Sequence, residues 1–301
     1  MRAETGSTED WRDAAAYAPL LDAERSLFAW EWLRRDPGYR AAARPGSAAL
    51  PCRPRPRADE FGLVAFEPPH LGVPNARPLW RRDANAYVLT ARACRTSAAM
   101  DRFDLDALRP LASVLEDDEG EHLLLSDGLL AVRLDGERGA FSSGPVALCY
   151  LIEGVASTEA PLLTLRRFLS LCRTGRFARS LHGREARARR WILMLRAWDA
   201  LASGADQRQI AQELLSRSVS EPRWRSREAS IRSQAQRLVH GACRMADGGY
   251  WELLGGSSNF RTLQQERMMD QAEFQRLCAN VSTGRKRVLP SVGNRRNPNG
   301  V

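Results

Sequence analysis

The stretch Asp206-Gln-Arg-Gln-Ile-Ala-Gln-Glu-Leu-Leu215 decides the fold of the C-terminal half of the chain. Asp206 is a good helix N-cap, and Gln209 stands three residues later, in the reciprocal position of a capping box. The apolar face that follows consists of Ile210, Ala211 and Leu214. Because alanine is small, a second helix can approach this face closely, so the stretch is typical of the first helix of a helix-turn-helix pair.

A second amphipathic helix is predicted over residues 226–246. Its apolar stripe at the 3.6-residue period contains Ile231, Ala235, Leu238 and Ala242. The opposite face alternates small polar residues with arginine, which suits a helix in the major groove, because Ser and Gln reach base edges and Arg contacts guanine or phosphate. The residues predicted to contact DNA are Arg225, Arg227, Arg232, Ser233, Gln236 and Arg237. About ten residues separate the two helices, where three or four are usual.

The distribution of charge supports a polyanionic partner. Residues 163–254 hold 18 Arg against 8 acidic residues, a net charge of +10, whereas residues 1–162 hold 19 Arg against 25 acidic residues, a net charge of −6. Double-stranded DNA is therefore the predicted partner. Lys286 is the one lysine among the 45 basic residues. This preference for arginine fits a G+C-rich genome as well as it fits selection for phosphate binding.

The chain is predicted to be an α+β protein of five segments. An N-terminal helical module (1–44) precedes a Pro/Arg-rich linker (45–60), a small β-rich domain (61–160) and an all-helical helix-turn-helix-like domain (161–254). The last segment (255–301) is predicted to contain one helix and a basic, disordered tail. In the N-terminal module, Asp36-Pro37-Gly38 is predicted to end a helix.

The central segment is predicted to be mostly antiparallel. Short apolar runs broken by turn residues predict strands at 61–66, 87–90, 122–125, 129–134 and 146–152. Turn signals at Ser126-Asp127-Gly128 and at Asp135-Gly136 predict hairpins. A helix is expected near residues 104–115. Two more helices, over 162–172 and 184–201, are expected before the capped stretch.

These motifs resemble a known protein family. Asp206-Gln-Arg-Gln-Ile-Ala-x-x-Leu-Leu, Ser230-Ile-Arg-Ser-Gln-Ala-Gln-Arg-Leu-Val and Gly248-Gly-Tyr-Trp-Glu-Leu-Leu254 resemble proteobacterial helix-turn-helix variants that control excision and transfer of integrative and conjugative elements. The N-terminal Phe28-Ala-Trp-Glu-Trp-Leu-Arg-Arg-Asp-Pro-x-Tyr39 is similar to the regulator-like domain often placed ahead of them. The resemblance implies a DNA-binding transcriptional regulator, an activator of mobile-element genes.

The same resemblance implies an alternative. Some family members are antiactivators, which use this fold to sequester a partner protein rather than to bind DNA. The N-terminal aromatic residues are then interpreted either as a docking surface for RNA polymerase or an antiactivator, or as the core of their own module. They are Trp11, Tyr17, Trp30 and Trp32.

Motifs of enzymes and of membrane proteins are missing from the sequence. The four histidines lie far apart, and no phosphate loop, nucleophile elbow or dinucleotide glycine pattern occurs. The acidic run 116–121 fits a solvated turn better than a metal site. No signal peptide or transmembrane run is found, and the six cysteines form no Cys-x-x-Cys pair. We therefore expect no enzymatic activity, cofactor, metal or membrane, and a cytoplasmic, nucleoid-associated location.

Overall fold

The computed structural model describes residues 10–44, 57–94, 101–216 and 229–256, and it has the predicted α+β architecture. The α-helices are α1 (Arg25–Leu33), α2 (Pro37–Ala42), α3 (Glu159–Thr174), α4 (Ala188–Ala202), α5 (Gln207–Leu214) and α6 (Ala229–Ala246). The 3-10 helices are Ala15–Asp22, Ala58–Phe61, Leu105–Leu111 and Gly249–Leu253. The predicted helix and tail of segment 255–301, and most of the linker, lie outside the described residues.

Five strands form one sheet in the order β2-β3-β4-β1-β5. They are β1 (Val88–Cys94), β2 (Ala112–Glu116), β3 (Glu121–Ser126), β4 (Ala131–Gly136) and β5 (Ala147–Leu151). Three of the four strand pairs are antiparallel, as predicted, whereas β1 and β4 are parallel. The sheet is therefore mixed at its centre.

The β3–β4 hairpin confirms the turn signal at Ser126-Asp127-Gly128. The Asp127 carboxylate accepts hydrogen bonds from the backbone N–H groups of Leu129 (2.9 Å) and Leu130 (2.8 Å). Gly128 has φ of +98°, and a Cβ atom there would lie 2.3 Å from the carbonyl oxygen of Pro74. Only glycine fits this turn.

The structure corrects four local predictions. Residues 61–66 are no strand: the 3-10 helix Ala58–Phe61 ends at Gly62, whose φ is +69°, and a single bridge follows. Residues 104–115 form a 3-10 helix and then β2, because Pro110 lacks the N–H group that a longer helix needs. Asp135-Gly136 makes no hairpin, since β5 pairs with β1 and not with β4. Asp36 caps the start of α2, with Pro37 at its first position.

Two hydrophobic cores hold these elements together. The first core joins aromatic residues of the N-terminal module to apolar residues of α4, α5, α6 and the 3-10 helix Gly249–Leu253. The second core lies between one face of the sheet and α3, which contributes Phe168 and Leu171. The helix α3, which falls in the predicted helical segment, thus packs against the sheet.

Candidate nucleic-acid interface

The capping box predicted at the start of α5 is confirmed. The Asp206 carboxylate accepts a hydrogen bond from the backbone N–H of Gln209 (2.7 Å), and the Gln209 side-chain oxygen accepts one from the backbone N–H of Asp206 (2.8 Å). Ile210 and Ala211 are fully buried, and Leu214 is half-buried. The cap fixes where α5 begins, and its apolar face then sets how α5 lies against α6.

The inner face of α6 packs on α4 and α5. Ala235 and Ala242 are fully buried and Leu238 is nearly so, as predicted, while Ile231 is half-buried. Gly241 lies against α4, because a Cβ atom there would come within 2.5 Å of the terminal methyl of Met194. Small residues therefore let α4 and α6 approach closely.

The outer face of α6 carries the described part of the predicted DNA site. Gln236 and Arg237 are exposed, Ser233 and Arg232 are half-buried, and Arg237 donates a hydrogen bond to the Ser233 hydroxyl (2.8 Å). Arg225 and Arg227, the other two predicted contacts, lie outside the described residues. The four described side chains fall on or beside one face of one helix.

This face is also electropositive. The helix α6 contains three arginines, namely Arg232, Arg237 and Arg244, and no acidic residue. Within the described parts of the chain, no carboxylate oxygen lies within 4.0 Å of the Arg237 or Arg244 guanidinium. A cationic helix face with short polar side chains can bind the phosphates and base edges of duplex DNA.

A buried ionic network fixes α4, the helix behind α6, to the N-terminal module. The Asp199 carboxylate accepts two hydrogen bonds from the Arg35 guanidinium (both 2.8 Å) and one from the Tyr17 hydroxyl (2.6 Å). Glu31 pairs with Arg35 and with Arg34. These side chains are all less than a tenth exposed. The two carboxylates and two guanidinium groups balance in charge, as buried ions require.

The ionisation of Glu31 depends on this pairing. Burial opposes the charged carboxylate, but the guanidinium groups of Arg35 and Arg34 outweigh it and hold the pKa of Glu31 below its ordinary value. Its other oxygen accepts a hydrogen bond from the backbone N–H of Val73 (2.9 Å). Glu31 therefore stays charged and ties α1 to the loop that contains Val73.

The four N-terminal aromatic residues proposed for docking are core residues. Trp11, Tyr17, Trp30 and Trp32 are each at most 3% exposed. The carbonyl oxygen of Trp11 accepts a hydrogen bond from Arg196 of α4 (2.8 Å). Because a buried ring cannot contact a partner protein, these four side chains are no docking surface, and the alternative interpretation as core is correct.

The sequence contained a signal for the ionic network that the motif analysis missed. Asp199 stands four and eight residues after Leu195 and Trp191, so a charged residue lies on the apolar stripe of α4. Arg35 stands four residues after Glu31, just beyond the aromatic helix α1. A charge on a buried stripe requires a partner, and this requirement could have pointed to a contact between the two helices.

Among the described residues, no helix is long and apolar enough to cross a membrane. No group of three or more His, Cys, Asp or Glu side chains suited to a metal ion occurs in the same part of the chain.

Two family models match the chain. Residues 10–61 match a "Proteobacterial transcriptional regulator-like domain", and residues 156–255 match a domain described as "T6SS, Transcription factor, DNA binding domain". Comparison with curated proteins and with solved structures finds no match. The second model covers α3 to α6, including the capped helix and the cationic helix. The chain is thus similar to a proteobacterial regulator-like domain near its N-terminal end and to a transcription-factor DNA-binding domain over residues 156–255.

Proposed function

We propose that this protein is a transcriptional regulator that binds duplex DNA by placing the outer face of α6 in the major groove. The observation that carries the proposal is the cationic outer face, free of acidic residues, of a helix whose inner face is buried against α4 and α5. A rigid backing holds the contacting side chains in position, which reduces the entropy lost on binding. The match of residues 156–255 to a transcription-factor DNA-binding domain supports the same function.

The side chains on this face suit two kinds of contact. Ser233 and Gln236 are polar and uncharged, so they suit hydrogen bonds to base edges. Arg232 and Arg237 suit guanine or phosphate, and the hydrogen bond from Arg237 to Ser233 orients the guanidinium along the helix. Arg225 and Arg227, just before α6 in sequence, are proposed as further contacts.

The proposal extends to activation of transcription. The resemblance to regulators of conjugative elements points to excision and transfer genes as targets, whereas the description of the matched family names T6SS. Both sets of promoters are therefore the DNA to test. The alternative role, an antiactivator that sequesters a partner regulator, requires no DNA contact. It therefore predicts no binding to these promoters in the titration described next.

A binding titration at two salt concentrations tests DNA binding. The full chain is mixed with labelled duplexes from promoters of both gene sets, and the Kd is measured at about 50 and 200 mM salt. Because each phosphate contact releases counterions, a protein with 6–10 such contacts loses about 10³-fold to 10⁵-fold in affinity over this range. Affinity that does not change with salt, or binding to none of these duplexes, would contradict the proposal.

A double variant tests whether α6 is the helix that contacts DNA. Arg232→Ala with Arg237→Ala removes two contacts of about 1–3 kcal/mol each, so the affinity should fall by at least about 30-fold. The matched control is Arg92→Ala with Arg109→Ala, which removes two exposed charges from the β unit. Equal affinities of the two double variants would show that another surface binds DNA. Circular dichroism of both variants checks that the fold is unchanged.

A further inference from the structure

A cavity of about 430 Å³ opens between the first hydrophobic core and the face of the sheet that points away from the second core. Its walls come from the start of α1, the loop 76–87, the face of the sheet opposite the second core, α3 and the segment 183–186 that leads into α4. The volume falls in the range of about 300–1,000 Å³ that is usual for small-molecule sites. Neither matched segment contains the sheet, so about half of the lining, in residues 76–133, belongs to a part of the chain to which no family model assigns a role.

One part of the lining is apolar and another is cationic. Leu27, Leu124, Leu253 and the ring of Trp80 form the apolar wall. The Trp80 ring is held in place, because its N–H donates to the carbonyl oxygen of Ser26 (3.3 Å) and its edge packs against Trp251. The cationic part of the lining has five arginines against two glutamates.

The arginines of the cavity differ in their carboxylate partners. Arg25, Arg184 and Arg133 each have a carboxylate oxygen within 3.0 Å. Arg167 donates to the carbonyl oxygen of Leu181 and lies 3.8 Å from the nearest oxygen of Glu24. The Arg77 guanidinium donates to the carbonyl oxygens of Pro74 and Ala76, and no described carboxylate oxygen lies within 4.0 Å of it, although the backbone N–H of Arg77 donates to the Glu67 carboxylate (2.7 Å). Positive charge is therefore incompletely neutralised at Arg77 and Arg167.

A buried donor in the wall is also unsatisfied. The Nε atom of Arg133 is buried and has no hydrogen-bond partner, although its side chain is 4% exposed and other atoms of the guanidinium bond to Asp135 and to backbone oxygens. Leaving such a group unpaired costs about 1–3 kcal/mol, more where it is charged.

We propose that this cavity binds a small organic anion. Its carboxylate or phosphate is bonded by Arg77 and Arg167, which suit both groups because guanidinium matches their geometry. Its apolar body lies against Trp80 and Leu253. The excess of arginine excludes cations, and the cavity is too small for a nucleic-acid duplex, so this site is separate from the face of α6.

Calorimetric titration of the full chain with matched aromatic probes tests the proposal. Benzoate and phenyl phosphate supply the two anionic groups on the same apolar body, and benzyl alcohol is the neutral control. We expect saturable 1:1 binding of at least one anion and at least 10-fold weaker binding of the alcohol. No saturable binding of either anion, or equal binding of the alcohol, would overturn the proposal. Comparison of the Kd values of the two anions shows whether the site prefers a carboxylate or a phosphate.

Substitutions locate the bound anion. Arg77→Gln with Arg167→Gln should weaken binding at least 10-fold, whereas Arg166→Gln with Arg173→Gln, two exposed arginines of α3 outside the cavity, should not. If the first double variant fails to fold, Ala131→Leu replaces it as the test, because the larger side chain fills the cavity from β4. Loss of anion binding in this variant supports the proposed site, and unchanged binding refutes it. Unchanged binding in a folded Arg77 and Arg167 double variant refutes it as well.

Discussion

Asp199→Asn tests the contact that holds the DNA-binding helices on the N-terminal module. The substitution keeps the side-chain volume and removes one of the two negative charges of the buried network, so one positive charge is left in excess beside Glu31, Arg34 and Arg35. Breaking a buried ion pair in this way costs about 3–5 kcal/mol. For a chain of this size, 1 kcal/mol corresponds to about 2–4 °C, so Tm should fall by about 6–20 °C.

Thermal unfolding followed by circular dichroism, together with urea titration, measures this cost. Asp106→Asn is the control, because its ion pair with Arg109 is exposed and is expected to contribute under about 1 kcal/mol. Tyr17→Phe removes the hydroxyl that donates to Asp199 and should cost about 1 kcal/mol. If Asp199→Asn were no more destabilising than Asp106→Asn, the network would not hold the two parts together as we argue.

Two further substitutions test local features. Asp206→Ala removes the capping box of α5 and should lower the free energy of unfolding by about 1 kcal/mol in urea titration, and a change within error would show that the cap is dispensable. His122 has a pKa that burial alone would lower, but that the adjacent carboxylates, chiefly Asp135 and then Asp117, raise above its ordinary value. The resulting stabilisation is present below the unfolded-state pKa of about 6.5 and is lost as pH rises through the folded-state value. The free energy of unfolding should therefore fall from pH 6 to pH 9 more in the original chain than in His122→Gln, and parallel pH profiles would contradict this.

Features fixed by neighbouring residues could be predicted from the sequence. The capping box needs only Asp206 and Gln209, and the β3–β4 hairpin needs only a turn with glycine where φ is positive. The buried and exposed faces of α6 follow from the 3.6-residue period alone. In each case the residues that carry the signal lie close together in the sequence.

Features fixed by distant contacts could not be predicted in this way. The parallel pairing of β1 with β4 joins strands whose partners no local pattern specifies. The run 61–66 has the composition of a strand, but Gly62 with positive φ ends the 3-10 helix there, and Leu63 meets only a short bridge with Trp80. Tertiary contacts override propensity at such positions.

The candidate site shows the same limit. Periodicity predicted which side chains of α6 face outward, but it could not show what lies behind α4. That support comes from Arg35 and Tyr17, more than 160 residues earlier in the chain than Asp199. The aromatic residues that suggested a docking surface are instead the core that carries this support.

The two segments matched by family models share one hydrophobic core, so we expect them not to fold as two separate units. Phe28 packs edge-on against Trp191 with ring centroids 5.0 Å apart, and Asp199 and Arg196 of α4 bond to the N-terminal module. A fragment of residues 156–255 would expose this apolar side of α4 and leave Asp199 without Arg35. We therefore expect the fragment to have lower helicity by circular dichroism than the full chain shows over the same residues, and to bind apolar dyes. A fragment that is fully helical, monomeric and dye-free would refute the shared core as a requirement for placing α6 on DNA.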